Sequence, residues 1–190
     1  MHINQTMRRT LILIISSILI GCGTKKSIDN IDANSYYPIS GVNAKYKYAD
    51  VDLFVYHKDL NRIETKNGND YSVRQIKNSS GKKTETLYRL VNGNVMYFDA
   101  KSATENLIMP RELKVGYKWK NNDKSWQYEI IDLKADLETP TKKYSDLLVM
   151  KAIQLTNRDE KKLAEYLNYY EKGTGKIASF GNGKLMTYKL

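Results

Sequence analysis

Cysteine and histidine are scarce in this chain of 190 residues. Cys22 is its only cysteine, and His2 and His57 are its only histidines. One thiol cannot form an internal disulfide, so packing must hold the fold together. Zinc and other transition-metal centres draw on several His or Cys ligands. We therefore predict neither a metal centre nor a cofactor.

Acidic residues are absent from the first 21 positions, where Arg8 and Arg9 are the only charged residues. The apolar run that follows, Thr10–Ile20, has 11 residues. That is well short of the roughly 20 residues that cross a bilayer as a helix, but it fits the apolar part of a secretory signal peptide. Residues 1–21 are therefore predicted to direct export.

The apolar run ends in Leu19-Ile20-Gly21-Cys22. This resembles the bacterial lipobox, in which Leu19, Ile20 and Gly21 are read by the lipoprotein signal peptidase. The resemblance implies cleavage before Cys22 and acylation of its thiol and new amino group, and two or more acyl chains anchor a protein stably. The alternatives are an ordinary signal peptide with an incidental cysteine, or an uncleaved anchor. No Asp follows the cysteine, which by analogy favours the outer membrane in a cell with two membranes, and otherwise the cell surface.

The segment 23–35 consists of small and polar residues and has no sustained hydrophobic periodicity, as is typical of a flexible tether. The predicted organisation is a signal peptide over 1–21, an acylated cysteine and tether over 22–35, and one domain over 36–190. Taking Arg8 and Arg9 from the 31 Lys and Arg leaves 29 bases against 21 acids, a net charge of +8. For an exported protein this charge suits lipid headgroups or acidic glycans rather than nucleic acid.

Short segments of alternating polarity fill the chain after residue 35, and they predict β-strands. The fold class is mainly β, an antiparallel meander curled into a partial barrel or a sandwich. Asn92-Gly93 and Asn182-Gly183 are typical two-residue hairpin turns. The predicted strands are Ala44–Ala49, Asp52–Lys58, Tyr71–Lys77, Glu85–Val91, Asn94–Asp99, Val115–Lys120, Ser125–Leu133, Tyr144–Thr156, Gly175–Phe180 and Lys184–Lys189.

The segment 159–172 fits two structures. Leu163, Leu167 and Tyr170 fall at helical spacing, and Gly173 is suited to end a helix. The same residues also alternate as a strand, and their tyrosine content favours that structure. The local pattern leaves the two open.

The order of motifs in the domain resembles a widespread bacterial lipoprotein domain of uncharacterised function. The resemblance implies an extracytoplasmic β-rich fold with a strand at the end of 159–172, and it implies no catalytic residues. Domains of this type often have tryptophan at the positions of Tyr46 or Tyr48. The segments that carry the resemblance are Tyr36-Tyr37-Pro38 with Gly41, Tyr46 and Tyr48; Pro110–Trp119; Thr139–Lys151; and Tyr169–Ile177.

No catalytic motif accompanies His57, which stands mid-strand without a nucleophile motif near it, so we predict no enzyme. The predicted function is a lipid-anchored envelope module that binds or assembles, with an envelope protein or a glycan as partner. The alternative is a carrier that holds a lipid or another apolar ligand in a cleft. A cleft lined by Phe54, Val149 and Ile153 would favour this alternative. Tyr166, Tyr169 and Tyr170 are predicted to serve mainly as core, and otherwise as a binding face.

Overall fold

The structure is a computed structural model that describes residues 32–156 and 164–190. The predicted signal peptide, Cys22 and most of the predicted tether lie outside the described residues. One short helix and twelve strands make up the described part. Their bounds are α1 Ala33–Tyr36, β1 Asn43–Tyr48, β2 Phe54–Lys66, β3 Asn69–Asn78, β4 Lys83–Val91, β5 Asn94–Asp99, β6 Thr104–Met109, β7 Lys118–Lys120, β8 Trp126–Glu138, β9 Lys143–Gln154, β10 Glu165–Glu171, β11 Gly175–Gly181 and β12 Lys184–Lys189.

The twelve strands form one antiparallel sheet that curls into a nearly closed, barrel-like shape. Their order is β6-β5-β4-β3-β2-β1-β12-β11-β10-β9-β8-β7, so consecutive strands pair with each other everywhere except between β6 and β7, which are the two edges. The first and last strands close the sheet, because Tyr46 of β1 pairs with Lys189 of β12. The predicted antiparallel meander is confirmed, in the form of a partial barrel.

The gap in the barrel lies between the edge strands β6 and β7, where side chains replace the backbone ladder. The indole Nε1 of Trp119 donates to the Leu107 carbonyl at 3.0 Å. The backbone N–H of Asn122 donates to Oδ1 of Asn106 at 2.7 Å. These bonds satisfy edge groups that would otherwise be free to pair with another chain.

The two predicted hairpin turns are present, each with a positive φ at both turn residues. Asn92 and Gly93 have φ of 51° and 83°, and Asn182 and Gly183 have 49° and 73°. These values match the type of turn whose twist suits a tight hairpin. A third such turn at Asn67-Gly68 joins β2 to β3.

The structure departs from the predicted strands in their number and in their extent. It has twelve strands where about ten were predicted, because β6 was missed and the segment 165–171 forms β10. Strand β2 continues to Lys66 through a register shift between Asp59 and Ile63. The segment 159–172 was predicted to be either helix or strand. Its residues 165–171 form a strand, and residues 157–163 lie outside the described residues.

The predicted tether ends at Ser35, but the folded structure begins before that residue. Asp32 caps α1 by accepting from the Asn34 N–H at 3.1 Å, and Ala33 is fully buried. The folded domain therefore includes residues 32–35. Helix α1 has four residues, and in the described part of the chain no helix is long and apolar enough to cross a bilayer.

The main core lies inside the curled sheet, and further apolar clusters lie on its outer face. Consecutive side chains of a strand point to opposite faces. Leu148 and Met150 belong to the inner cluster with Trp119 and Tyr170, whereas Leu147 belongs to a separate cluster. The outer clusters centre on Leu147, Ile177 and Tyr188, and on Tyr71, Val73 and Leu87.

Candidate functional site

A cavity of about 160 Å³ lies inside the barrel-like sheet. Aromatic rings form much of its wall, and aliphatic side chains, among them Leu107, Ile108 and Met150, complete the apolar part. Charged and polar side chains, among them His57 and Lys176, face the same space. The tyrosines in the wall are Tyr37, Tyr46, Tyr97, Tyr128 and Tyr170.

Strand alternation places the polar side chains in the interior. On β1 the ring of Tyr46 faces the cavity, and Lys45 between Ala44 and Tyr46 points outward over the Phe54 ring at 3.9 Å. On β11 Lys176 faces the cavity, while the next residue, Ile177, is fully buried in an outer cluster. Because β1 and β11 both pair with β12, Tyr46 and Lys176 are close: the Tyr46 hydroxyl donates to the Lys176 carbonyl at 3.0 Å.

Arg74 and Asp59 form a buried ion pair at the cavity wall. Their side chains are 6% and 5% exposed, and Arg74 Nε donates to Asp59 Oδ1 at 2.7 Å. The second carboxylate oxygen accepts from Arg74 Nη2 at 3.2 Å and from the Val42 N–H at 2.7 Å. Arg74 Nη2 also donates to the Pro38 carbonyl at 2.6 Å. The pair therefore holds both ends of the loop 38–42 against the cavity.

Lys176 has no such partner. Its ammonium has no ion pair or hydrogen bond with any described residue, and it lies 5.6 Å from the centroid of the Tyr46 ring. The residue is half-buried and lines the cavity. This burial lowers the pKa of the Lys176 ammonium below its ordinary value.

His57 is half-buried on β2 and lines the cavity together with Arg74 and Lys176. Its ring centroid lies 4.8 Å from that of Tyr46. Burial, and then the nearby charges of Lys176 and Arg74, lower the pKa of His57 from 6.5 to about 4. The imidazole is therefore neutral near pH 7. With Asp59 balancing Arg74, the charge of Lys176 is left without a counter-charge.

The loop 38–42 and the turn before β11 both contribute residues to the wall of the cavity. A shallow surface groove is lined by Ser40, Gly41 and Gly173, and it shares Pro38, Val42 and Thr174 with the cavity. The shared residues thus stand between the groove and the interior.

No protein family model, curated protein or solved structure matches this chain. The resemblance to a lipoprotein domain stays a prediction. The first and last of its motifs nevertheless meet at the cavity, because Tyr37 and Pro38 line it together with Tyr170, Gly175 and Lys176.

The predicted cleft residues are not the ones that line the cavity. On β9, Met150 points into the cavity. Val149 and Ile153 lie one and three residues away from it, so they point to the outer face. Phe54 lies outside, under the Lys45 ammonium. The cavity is therefore not the cleft at Phe54, Val149 and Ile153 that would have favoured the carrier alternative.

The tyrosines of β10 serve mainly as core, as predicted. Tyr170 is 3% exposed, and Tyr169 packs on Phe180 with a ring distance of 5.3 Å. Tyr166 is half-buried against Trp126. Tyr170 combines both predicted uses, since its ring also forms part of the cavity wall.

Sequence reasoning missed Arg74 and Lys176 as site residues. Among the described residues, no group of His, Cys, Asp and Glu is arranged to hold a metal ion. No serine or cysteine of the described chain lines the cavity. The chemistry that the site offers is an apolar enclosure with one unpaired cation.

Proposed function

We propose that this protein is a lipid-anchored, non-catalytic binding protein of the bacterial envelope that takes a small ligand into its interior cavity. One observation carries the proposal: a cavity of about 160 Å³, walled by tyrosines, contains a half-buried lysine that has no ion-pair or hydrogen-bond partner among the described residues. Packing normally fills an interior of this kind, so an open space with a charged side chain in its wall suits a ligand.

The size of the cavity limits the ligand to a small molecule. Apolar cavities of ~150 Å³ bind one benzene molecule. The cavity here has about the same volume, so it suits a single ring or a short chain. The ligand is therefore smaller than the lipid considered in the carrier alternative.

The residues around the cavity support binding rather than catalysis. A nucleophile needs a neighbouring general base that a third group orients. Asp59 is the carboxylate that could orient His57 as a general base, but its oxygens already accept hydrogen bonds from Arg74 and Val42. His57 is thus left without a carboxylate to orient it.

The binding proposal is tested by filling the cavity. Ile108→Trp is designed to occupy the space, and Ile63→Trp is the matched control because Ile63 is 61% exposed on β2. Tyrosine ring resonances in NMR spectra report binding from a panel of benzene-sized neutral, anionic and cationic molecules. We expect at least one to bind the wild type and the control, and to be lost from Ile108→Trp. If every molecule binds the filled variant as well as the wild type, the cavity is not the site.

The anchoring proposal rests on the lipobox residues and is tested separately. Growth with an alkyne-bearing fatty acid labels acylated proteins, and Cys22→Ser is the control. We expect the label and membrane retention in the wild type and their loss in the variant. A wild-type protein without label contradicts the anchor.

An assembly role is the second candidate, favoured by exposed apolar side chains at the turn between β1 and β2. Tyr48, Val51 and Leu53 are 37%, 49% and 50% exposed there. In-cell crosslinking followed by mass spectrometry tests this role, with Leu53→Ser as the comparison. One envelope protein captured in stoichiometric yield, and lost in Leu53→Ser, would support assembly, and no such capture would oppose it.

A further inference from the structure

We propose that the ligand of the cavity is a small organic monoanion, a carboxylate on one ring or a short chain, whose charged group pairs with the Lys176 ammonium. The inference rests on the proposed binding function and specifies the chemical class of its ligand.

The charges that face the cavity sum to one positive charge. Arg74 and Lys176 are the cations that line the cavity, and no carboxylate of the described residues lines it. Asp59 lies behind Arg74 as its ion-pair partner. Both Asp59 oxygens are bonded to Arg74, and one also accepts from Val42. Asp59 therefore neutralises Arg74 and leaves Lys176 to an outside anion.

The other titratable groups at the cavity are neutral near pH 7. Burial raises the pKa of Tyr46 and of Tyr128 to about 12, and it also raises the pKa of Tyr37, Tyr97 and Tyr170. The lowered pKa of His57 keeps the imidazole uncharged. Since one cation is unbalanced, a monoanion balances the cavity, whereas a dianion leaves a net negative charge in a low-dielectric interior.

Hydrogen-bond donors are available beside the free ammonium. Arg74 Nη1 has no hydrogen-bond partner among the described residues, while Nε and Nη2 are both used. A carboxylate accepts several such bonds, and bonds to an ionised group are the strong ones. The tyrosine rings and Leu107, Ile108 and Met150 offer contact to the apolar body of the ligand.

Benzoate and benzamide separate charge from shape, because the two molecules are nearly isosteric and only benzoate is charged. Dissociation constants are measured by isothermal titration calorimetry at pH 7 on the folded wild type. We expect benzoate to bind at least ~10-fold more tightly than benzamide, as expected of one charge-assisted hydrogen bond. Hexanoate and hexanamide repeat the comparison for a short chain.

Lys176→Met tests the residue, and Lys184→Met, an exposed lysine on β12, is the matched control. We expect Lys176→Met to lose the preference for benzoate while still binding benzamide, and Lys184→Met to behave as the wild type. Lys176→Gln serves as a second variant, and circular dichroism confirms that each variant is folded.

The outcomes distinguish this inference from the proposed function. Tighter binding of the amides by the wild type overturns the monoanion and leaves a ligand-binding cavity. A benzoate preference that survives in Lys176→Met overturns the role of Lys176. If no molecule of either pair binds the wild type, both proposals fail.

Discussion

Breaking the buried pair of Arg74 and Asp59 is the perturbation with the largest expected effect on stability. Arg74→Met leaves the Asp59 carboxylate, 5% exposed, in the interior without its cation. It also removes the donor to the Pro38 carbonyl. Removing one partner of a buried ion pair costs about 3–5 kcal/mol, because the remaining charge is desolvated and uncompensated. We therefore expect the free energy of unfolding to fall by about that amount.

The pairwise origin of this loss is checked by a double-mutant cycle with Asp59→Asn. The asparagine keeps an oxygen that can accept from the Val42 N–H, now 2.7 Å from Asp59 Oδ2, but it leaves Arg74 unpaired near Lys176. The double variant removes both charges, so it should lose less stability than the two single changes together. We expect a coupling energy of at least ~2 kcal/mol.

Urea unfolding followed by tryptophan fluorescence measures these free energies. The slope of free energy against urea must stay equal across the four proteins, so that the midpoints are comparable. Additive single effects, or a loss below ~1 kcal/mol for Arg74→Met, would refute the reasoning. Either result would mean that the pair is hydrated rather than buried.

Three further predictions concern single residues. The pKa of His57 is about 4 when folded and 6.5 ordinarily, so the unfolded state binds more protons between these values. Stability should fall by up to ~3 kcal/mol as pH drops from 6.5 to 4, and His57→Gln should lack this component in urea unfolding at several pH values. Lys176→Met replaces a half-buried ammonium with an apolar group and should raise the free energy of unfolding of the ligand-free protein by about 1 kcal/mol. An unchanged or lower melting temperature would contradict this. Trp119→Phe loses the 3.0 Å bond to the Leu107 carbonyl and should cost about 1 kcal/mol, with faster amide exchange in β6; exchange unchanged from the wild type would contradict a role in holding β6 to β7.

Much of the sheet could be predicted from the sequence, because strand alternation and Asn-Gly turns are local signals. Asn92-Gly93 and Asn182-Gly183 fixed two hairpins, and the segments around them form strands. Strand β6 was missed because its residues Leu107, Ile108 and Met109 are consecutively apolar rather than alternating. A register shift in its pairing with β5, between Val95 and Met96, accompanies this pattern.

The site could not be predicted in the same way, because its residues are distant in sequence. Alternation shows that Tyr46 and Lys45 face opposite sides of β1, but it does not show which side is the interior. Arg74, Tyr46 and Lys176 share one cavity only because β1 pairs with both β2 and β12. Tyr37 and Lys176 lie in the first and last motifs of the lipoprotein resemblance, but nothing in the sequence shows that these two motifs meet.

The charge state of the Lys176 ammonium is the property on which anion binding in the cavity most directly depends, and NMR titration of its 13Cε signal measures it. The signal is assigned by its absence from the spectrum of Lys176→Met. We expect a pKa below the ordinary 10.5 in the free protein and a higher pKa once benzoate is bound, because the carboxylate favours the charged amine. A Lys176 with an ordinary pKa that benzoate leaves unchanged would contradict both the unpaired buried lysine and its role in binding an anion.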